Sequence, residues 1–215
     1  MNFQSFAAGA VLALISMNSQ AATNIVTNGS FESEQINSAW TSLPAITGWT
    51  SSDAFEIQRG NNFGGLSNFN PAIDGKQYLE LNGSKLTTAT QTLTTTANNM
   101  YLLNFLYSGR PDQTQSQPSS MQVLWNNVVV GSVSAPFNSG WQPYSYQLQS
   151  NNSSSSLLSF RSTGPASQTS YGSYLDAVSV SVVPEPGAMA MMLLGVGMIA
   201  FIGRRRADKS TYKAH

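Results

Sequence analysis

The only histidine is His215, the last residue, and there is no cysteine. Histidine bases, Ser-His-Asp triads and imidazole or thiolate zinc sites are therefore closed to residues 22–183. The carboxylates left for chemistry there are Glu32, Glu34, Asp53, Glu56, Asp74, Glu80, Asp112 and Asp176. A pair of carboxyls can hydrolyse a glycosidic bond. None of these sits in a recognisable catalytic setting, so the expectation is a protein that is not an enzyme. The aromatic supply is richer: Trp40, Trp49, Trp125, Trp141, Tyr107, Tyr144, Tyr146, Tyr171 and Tyr174. Sugar rings stack their C–H faces on exposed aromatics, while amides and carboxylates bond the hydroxyls. Trp49, after Gly48, reads as core, and Trp125, at a hairpin end, reads either way. Trp141, Tyr144 and Tyr171 stand among Gly, Ser and other polar residues and read as exposed. For a glycan contact the choice falls on Trp141, Tyr171, Arg59 and Asn61, at rim loops. Packing with surface scatter is the plain alternative.

These side chains must be positioned by strands. From residue 24 to 183 short alternating runs are separated by Gly, Asn, Pro and Ser. The candidates are Ile25-Val26, Ala54–Ile57, Tyr78–Leu81, Thr88–Leu93, Tyr101–Tyr107, Met121–Trp125, Val128–Val133, Gln142–Leu148, Ser156–Phe160 and Leu175–Val183. Thr, Val, Tyr and Trp suit a pleated, half-buried surface. Asn126-Asn127 marks a tight hairpin, because Asn tolerates positive φ. Ser153–Ser156 and Gln113–Ser120 read as polar loops. No stretch keeps a helical period for three turns, so the fold class is all-β, a β-sandwich.

The two ends carry addresses. Residues 1–21 read as a secretory signal peptide for signal peptidase, with an apolar Phe6–Met17 and small residues at Ser19 and Ala21. Its first five residues contain no Lys or Arg. At the other end stand Pro184, Glu185 and Pro186, then residues 187–203 without a charge, then Arg204, Arg205 and Arg206. A helix over 187–203 is roughly 25 Å long, near the short limit for a bilayer core of about 30 Å. Three arginines stop such a span and keep residues 207–215 cytoplasmic, which puts the body outside. The body spans 22–183, enough for one domain with a sizeable core. Its five basic residues, Arg59, Lys76, Lys85, Arg110 and Arg161, stand against the eight acids, a net charge of −3. A mildly acidic domain without a basic cluster is a poor nucleic-acid binder.

Pro184-Glu185-Pro186, a short span and an arginine cluster, in that order, resemble the PEP-CTERM sorting signal (residues 184–206). The resemblance implies a Gram-negative bacterium that secretes exopolysaccharide, recognition by exosortase, and removal of the tail. Asn24-Ile25-Val26-Thr27-Asn28-Gly29-Ser30-Phe31-Glu32 with Gly48-Trp49 resembles the opening of galactose-binding-like jelly rolls. So do Asp74-Gly75-Lys76-Gln77-Tyr78-Leu79-Glu80-Leu81, Tyr101–Tyr107 with Arg110, and the closing Leu175-Asp176-Ala177-Val178-Ser179-Val180. These are hallmarks of carbohydrate-binding-module-like domains. The resemblance implies a jelly roll whose first and last strands lie side by side, with a structural calcium held by Glu32 and Asp176. Asn28, Gly29 or Glu80 would add oxygens, since calcium takes about six to eight. In the alternative, Glu32 caps a turn and Asp176 pairs with Arg110 or Arg161. The expected protein is an exported cell-surface or matrix protein that binds polysaccharide without catalysis. A structural matrix protein with no defined ligand is the second reading, and a glycoside hydrolase the third.

Overall fold

The computed structural model describes residues 23–60, 72–110, 118–136, 139–165, 172–184 and 194–199. Its strands are β1 Trp40–Leu43, β2 Thr50–Ser51, β3 Phe55–Arg59, β4 Gln77–Glu80, β5 Thr88–Thr94, β6 Met100–Gly109, β7 Ser119–Trp125, β8 Val128–Ala135, β9 Gln142–Gln149, β10 Ser155–Gly164 and β11 Ser173–Val182. They form two antiparallel sheets, one in the order β1-β3-β4-β11-β6-β9 and one in the order β2-β5-β10-β7-β8. This is the expected jelly-roll sandwich.

Alternation builds the core. Ile57, Leu79, Leu175, Leu103 and Phe105 turn inward from the six-stranded sheet, and Leu93, Phe160, Val123 and Trp125 turn inward from the other. Each large apolar side chain buried this way contributes roughly 1.5–3 kcal/mol. Trp49 is core, as its setting indicated, with its indole N–H donating to the Asn28 carbonyl at 3.1 Å. Trp125 is also buried, donating to the Gln149 carbonyl at 2.8 Å. Asn126 and Asn127 have φ of 51° and 65°, which makes β7–β8 the tight hairpin their types call for.

Several boundaries differ from the sequence expectation. β1 and β2 lack an apolar alternation and are held as strands by pairing with β3 and β5. Residues 119–120 and 155 belong to strands, not to the polar loops. Ile25-Val26 forms no ladder strand, yet it still meets the last strand. Below Leu175, β4 leaves β11, and the opening segment takes that edge. Ile25 donates to the Val180 carbonyl at 2.9 Å and Val178 donates to the Gly29 carbonyl at 2.9 Å.

Residues 194–199 are helical, and among the described residues no helix is long and apolar enough to cross a membrane. The expected signal peptide and the rest of the expected 187–203 span lie outside the described residues. So do Glu185, Pro186, Arg204, Arg205, Arg206, Asn61 and Tyr171.

Candidate functional site

Glu32 and Asp176 meet on one loop, as expected of first and last segments lying together. Glu32 Oε1 accepts the amides of Lys76 at 2.6 Å and Gln77 at 2.5 Å. Asp176 Oδ2 accepts the amides of Ile73 and Asp74, each at 3.1 Å, and its Oδ1 accepts its own neighbour Ala177 at 2.7 Å. The two carboxylates therefore clamp residues 73–77 by the main chain. Gly75 lets Glu32 in: its φ is +97°, and a Cβ there would lie 2.5 Å from Glu32 Oε1. Asp176 is fully buried at a β-bulge. Burial pushes its pKa up to about 7 against the pull of those amides, with Asp74 adding to the rise.

Glu32 thus does cap a turn, while Asp176 pairs with neither Arg110 nor Arg161. Among the described residues no Lys or Arg lies within ion-pair distance of Asp176. Of the set expected for calcium, Glu32 and Asp176 hold the same loop, with Glu32 Oε1 and both Asp176 oxygens accepting main-chain amides. The other two are engaged elsewhere. Asn28 shapes the opening turn, accepting from Ser33 and donating to Glu34 and Thr47. Glu80 belongs to a different cluster. No group of three or more His, Cys, Asp or Glu side chains converges among the described residues, so main-chain and water oxygens would have to complete the shell.

That second cluster lies on the outer face of the six-stranded sheet. β4 is buried along its whole length, on both faces, where an antiparallel strand usually leaves one face in water. Register explains what is covered. Gln58 stands beside Tyr78 and Glu56 beside Glu80, and Tyr174 stands on the other side of Glu80. Tyr78 and Tyr174 pack at 4.7 Å between ring centroids. Trp141, just before β9, meets Tyr78 edge-on at 5.3 Å and lies tilted by 34° to Tyr174 at 6.4 Å. Trp141 is half-buried.

The polar half is a carboxyl pair. Gln58 Nε2 bridges it, donating to Glu56 Oε1 and Glu80 Oε2 at 2.6 Å each. Arg110 donates to Glu80 Oε1 at 3.2 Å, and Gly172 N donates to the same oxygen at 2.8 Å. Burial pushes the Glu80 pKa up to about 8. Arg110 pulls it down, and the charge and hydrogen bond of Glu56 push it up again. Burial outweighs the pull of the Arg110 guanidinium on Glu80.

Beside the aromatic trio an open groove of about 470 Å³ runs over β6, β9 and the β11 bulge, lined by Asn104, Phe105, Leu106, Pro143, Tyr144, Ser145 and Ala177. Pro143 sits on edge strand β9, a position proline tolerates. Tyr144 stacks on Phe105 at 5.6 Å and is half-buried rather than free. Arg59 is occupied at the sheet end, donating to the Ile36 carbonyl at 3.1 Å. Of the four residues expected to touch a glycan, Trp141 lies on this face and Arg59 lies apart from it. Glu56 and Gln58 were not named from the sequence because sequence neighbours do not announce a register between β3 and β4, and Arg110, expected as a partner of Asp176, pairs with Glu80 instead. The Tyr78-Leu79-Glu80-Leu81 alternation was the available signal, since it puts Tyr78 and Glu80 on one face.

Solved structures of carbohydrate-binding modules share this fold. TmCBM61 in complex with β-1,4-galactotriose superposes with a TM-score of 0.51 at 14% identity, covering 75% of this chain and 100% of that one. A family 35 module from Clostridium thermocellum gives 0.43 at 11% identity, covering 66% and 98%. The CBM22-1 xylan-binding domain of Paenibacillus barcinonensis Xyn10C gives 0.44 at 16% identity, covering 66% and 89%. At these identities the likeness concerns the fold.

Residues 24–181 match the family described as protein of unknown function DUF642, and the chain belongs to that family. Residues 182–206 match the PEP-CTERM protein-sorting motif, which marks an exported cell-surface protein. No curated protein matches the chain.

Proposed function

We propose that this protein binds carbohydrate without catalysis, holding a glycan chain on the outer face of the six-stranded sheet. The observation that carries the reading is Trp141, half-exposed over Tyr78 and Tyr174 and beside the 470 Å³ groove. The ring offers a stacking surface, and the groove offers apolar wall with Asn104 and Ser145 as hydrogen-bonding points. Sorting by exosortase, after signal-peptidase cleavage, would deliver the domain to the Gram-negative cell envelope or its exopolysaccharide matrix, so polysaccharide is the ligand class within reach. A matrix protein with no defined ligand is the rival. The test is a glycan array that includes β-1,4-galactan fragments and the organism's own exopolysaccharide. Saturable binding is expected, and Trp141→Ala should weaken it about tenfold or more, as loss of an aromatic anchor does. No binding to any glycan would leave the matrix reading. New reducing ends on incubation would show an enzyme instead.

We also propose that calcium binds at Glu32 and Asp176. The support is the shared loop and the buried Asp176. The ion would tie the opening segment, loop 73–77 and β11 together, and it would stabilise by binding only the folded form. Chelation should then lower the melting temperature, and added calcium should restore it. An unchanged melt in both conditions would remove the ion and leave the amide clamp alone.

A further inference from the structure

We infer that Ala177 decides what the groove admits, an inference that rests on the glycan-binding reading above. Asp176 stands beside Leu106 and Ser179 beside Asn104, so β11 takes three steps where β6 takes two. This bulge lies inside the sheet, between β4 and β6, not at an edge. Bulges in such places re-aim a side chain. Val178 returns to the core, and Ala177 is left lining the groove with Leu106 and Pro143. Its φ is 51°, a left-handed backbone that glycine and asparagine adopt readily and alanine does not. The other non-glycine residues with positive φ, among those described, are Asn28, Asn98, Asn126, Asn127 and Phe31. Four of these five are the residue type that suits the backbone, and Phe31 is fully buried, so packing sets its identity. Ala177 is neither an asparagine nor core: it is half-buried and at the groove. The Asp176 carboxylate holds it there, accepting its amide at 2.7 Å. Glycine would relieve the backbone and remove the methyl. Asparagine would relieve it and put an amide into the groove. Strain retained at a site points to a use for the residue that carries it. Here the use is a methyl floor, small enough to leave the groove open and apolar enough to meet the C–H face of a pyranose ring.

The experiment reads contact and size separately. Protein labelled with carbon-13 at its alanine methyls is titrated with the oligosaccharide that the array binds most tightly. The Ala177 signal is assigned by its absence from Ala177→Gly. It should shift on binding, while the methyls of Ala89 and Ala135, buried in the core, stay still. Ala177→Asn should weaken binding about tenfold or more, with a melting temperature within roughly 2 °C of the parent, because asparagine accepts this backbone. Ala177→Gly should melt no lower than the parent and hold its affinity within about fivefold, the effect of one methyl. An Ala177 methyl that stays still at saturation would overturn the inference and leave glycan binding standing. So would an Ala177→Asn protein that binds as the parent does. A loss of binding shared equally by Ala177→Asn and Ala177→Gly would assign the effect to the bulge and not to side-chain size, and would overturn the inference too. Failure of the parent on every array glycan would instead remove the glycan reading itself.

Discussion

Gly29→Ala is expected to destabilise the domain by about 3 kcal/mol, a fall of roughly 6–12 °C in melting temperature. A Cβ on Gly29 would lie 2.0 Å from the Val178 carbonyl oxygen and 3.0 Å from its carbon. Both atoms are main chain, so no rotamer can relieve the contact. The opening segment would have to leave β11, breaking the Val178-to-Gly29 hydrogen bond and loosening the edge that β4 vacates. Phe31 and Trp49, packed at 5.6 Å beneath that segment, would lose part of their cover. Gly140→Ala is the comparison. Gly140 also has a special backbone, φ +67°, but nothing lies within 4 Å of its added Cβ. It should cost about 1 kcal/mol, for strain alone. Differential scanning calorimetry on the two variants decides the matter, and a Gly29→Ala melt within 2 °C of the parent, inside ~1 kcal/mol, would mean the segment does not lie on β11.

The second large effect is on pH. In calcium-free buffer the protein should melt highest at mildly acidic pH and lose stability steadily toward pH 9. Glu80 titrates at its ordinary 4.5 in the unfolded chain and near 8 in the folded one. Between those values the folded state holds a proton the unfolded state has released, so raising the pH favours unfolding. The contribution is complete below about pH 4.5 and is lost as the pH rises through 8. Asp176, pushed up to about 7 by burial, acts in the same direction. Each pKa unit between the two states is worth about 1.4 kcal/mol, so the melting temperature should shift by several degrees. Glu80→Gln keeps the shape, removes the titration, and should flatten the upper part of the curve. A parent protein most stable at pH 9 would contradict the buried carboxyl pair.

Much of the sandwich was legible because its strands carry strong alternation. Tyr101–Tyr107 and Leu175–Val183 read as strands on sight, and β6 and β11 pair at the centre of the sheet. Trp40–Leu43 was not legible. Trp40 is 51% exposed, and the strand exists because its main chain finds β3. The meeting of Glu32 with Asp176 was readable from the likeness of both ends of the domain to jelly rolls. What they hold, the amides of 73–77, was not, since backbone donors have no sequence signature. Trp141 stood out by its polar setting. Glu56 and Gln58 did not, because strands distant in sequence had to be placed side by side before their side chains could meet.

The central claim is that a glycan lies on the outer face of the six-stranded sheet. Amide and indole chemical-shift mapping with an array-selected oligosaccharide tests it most directly. Shifts should cluster at the Trp141 indole, Asn104, Leu106, Ser145 and Ala177, and spread to Gln58 and Glu56. Shifts confined to the outer face of the five-stranded sheet, at Thr90, Thr92 and Arg161, would contradict the account.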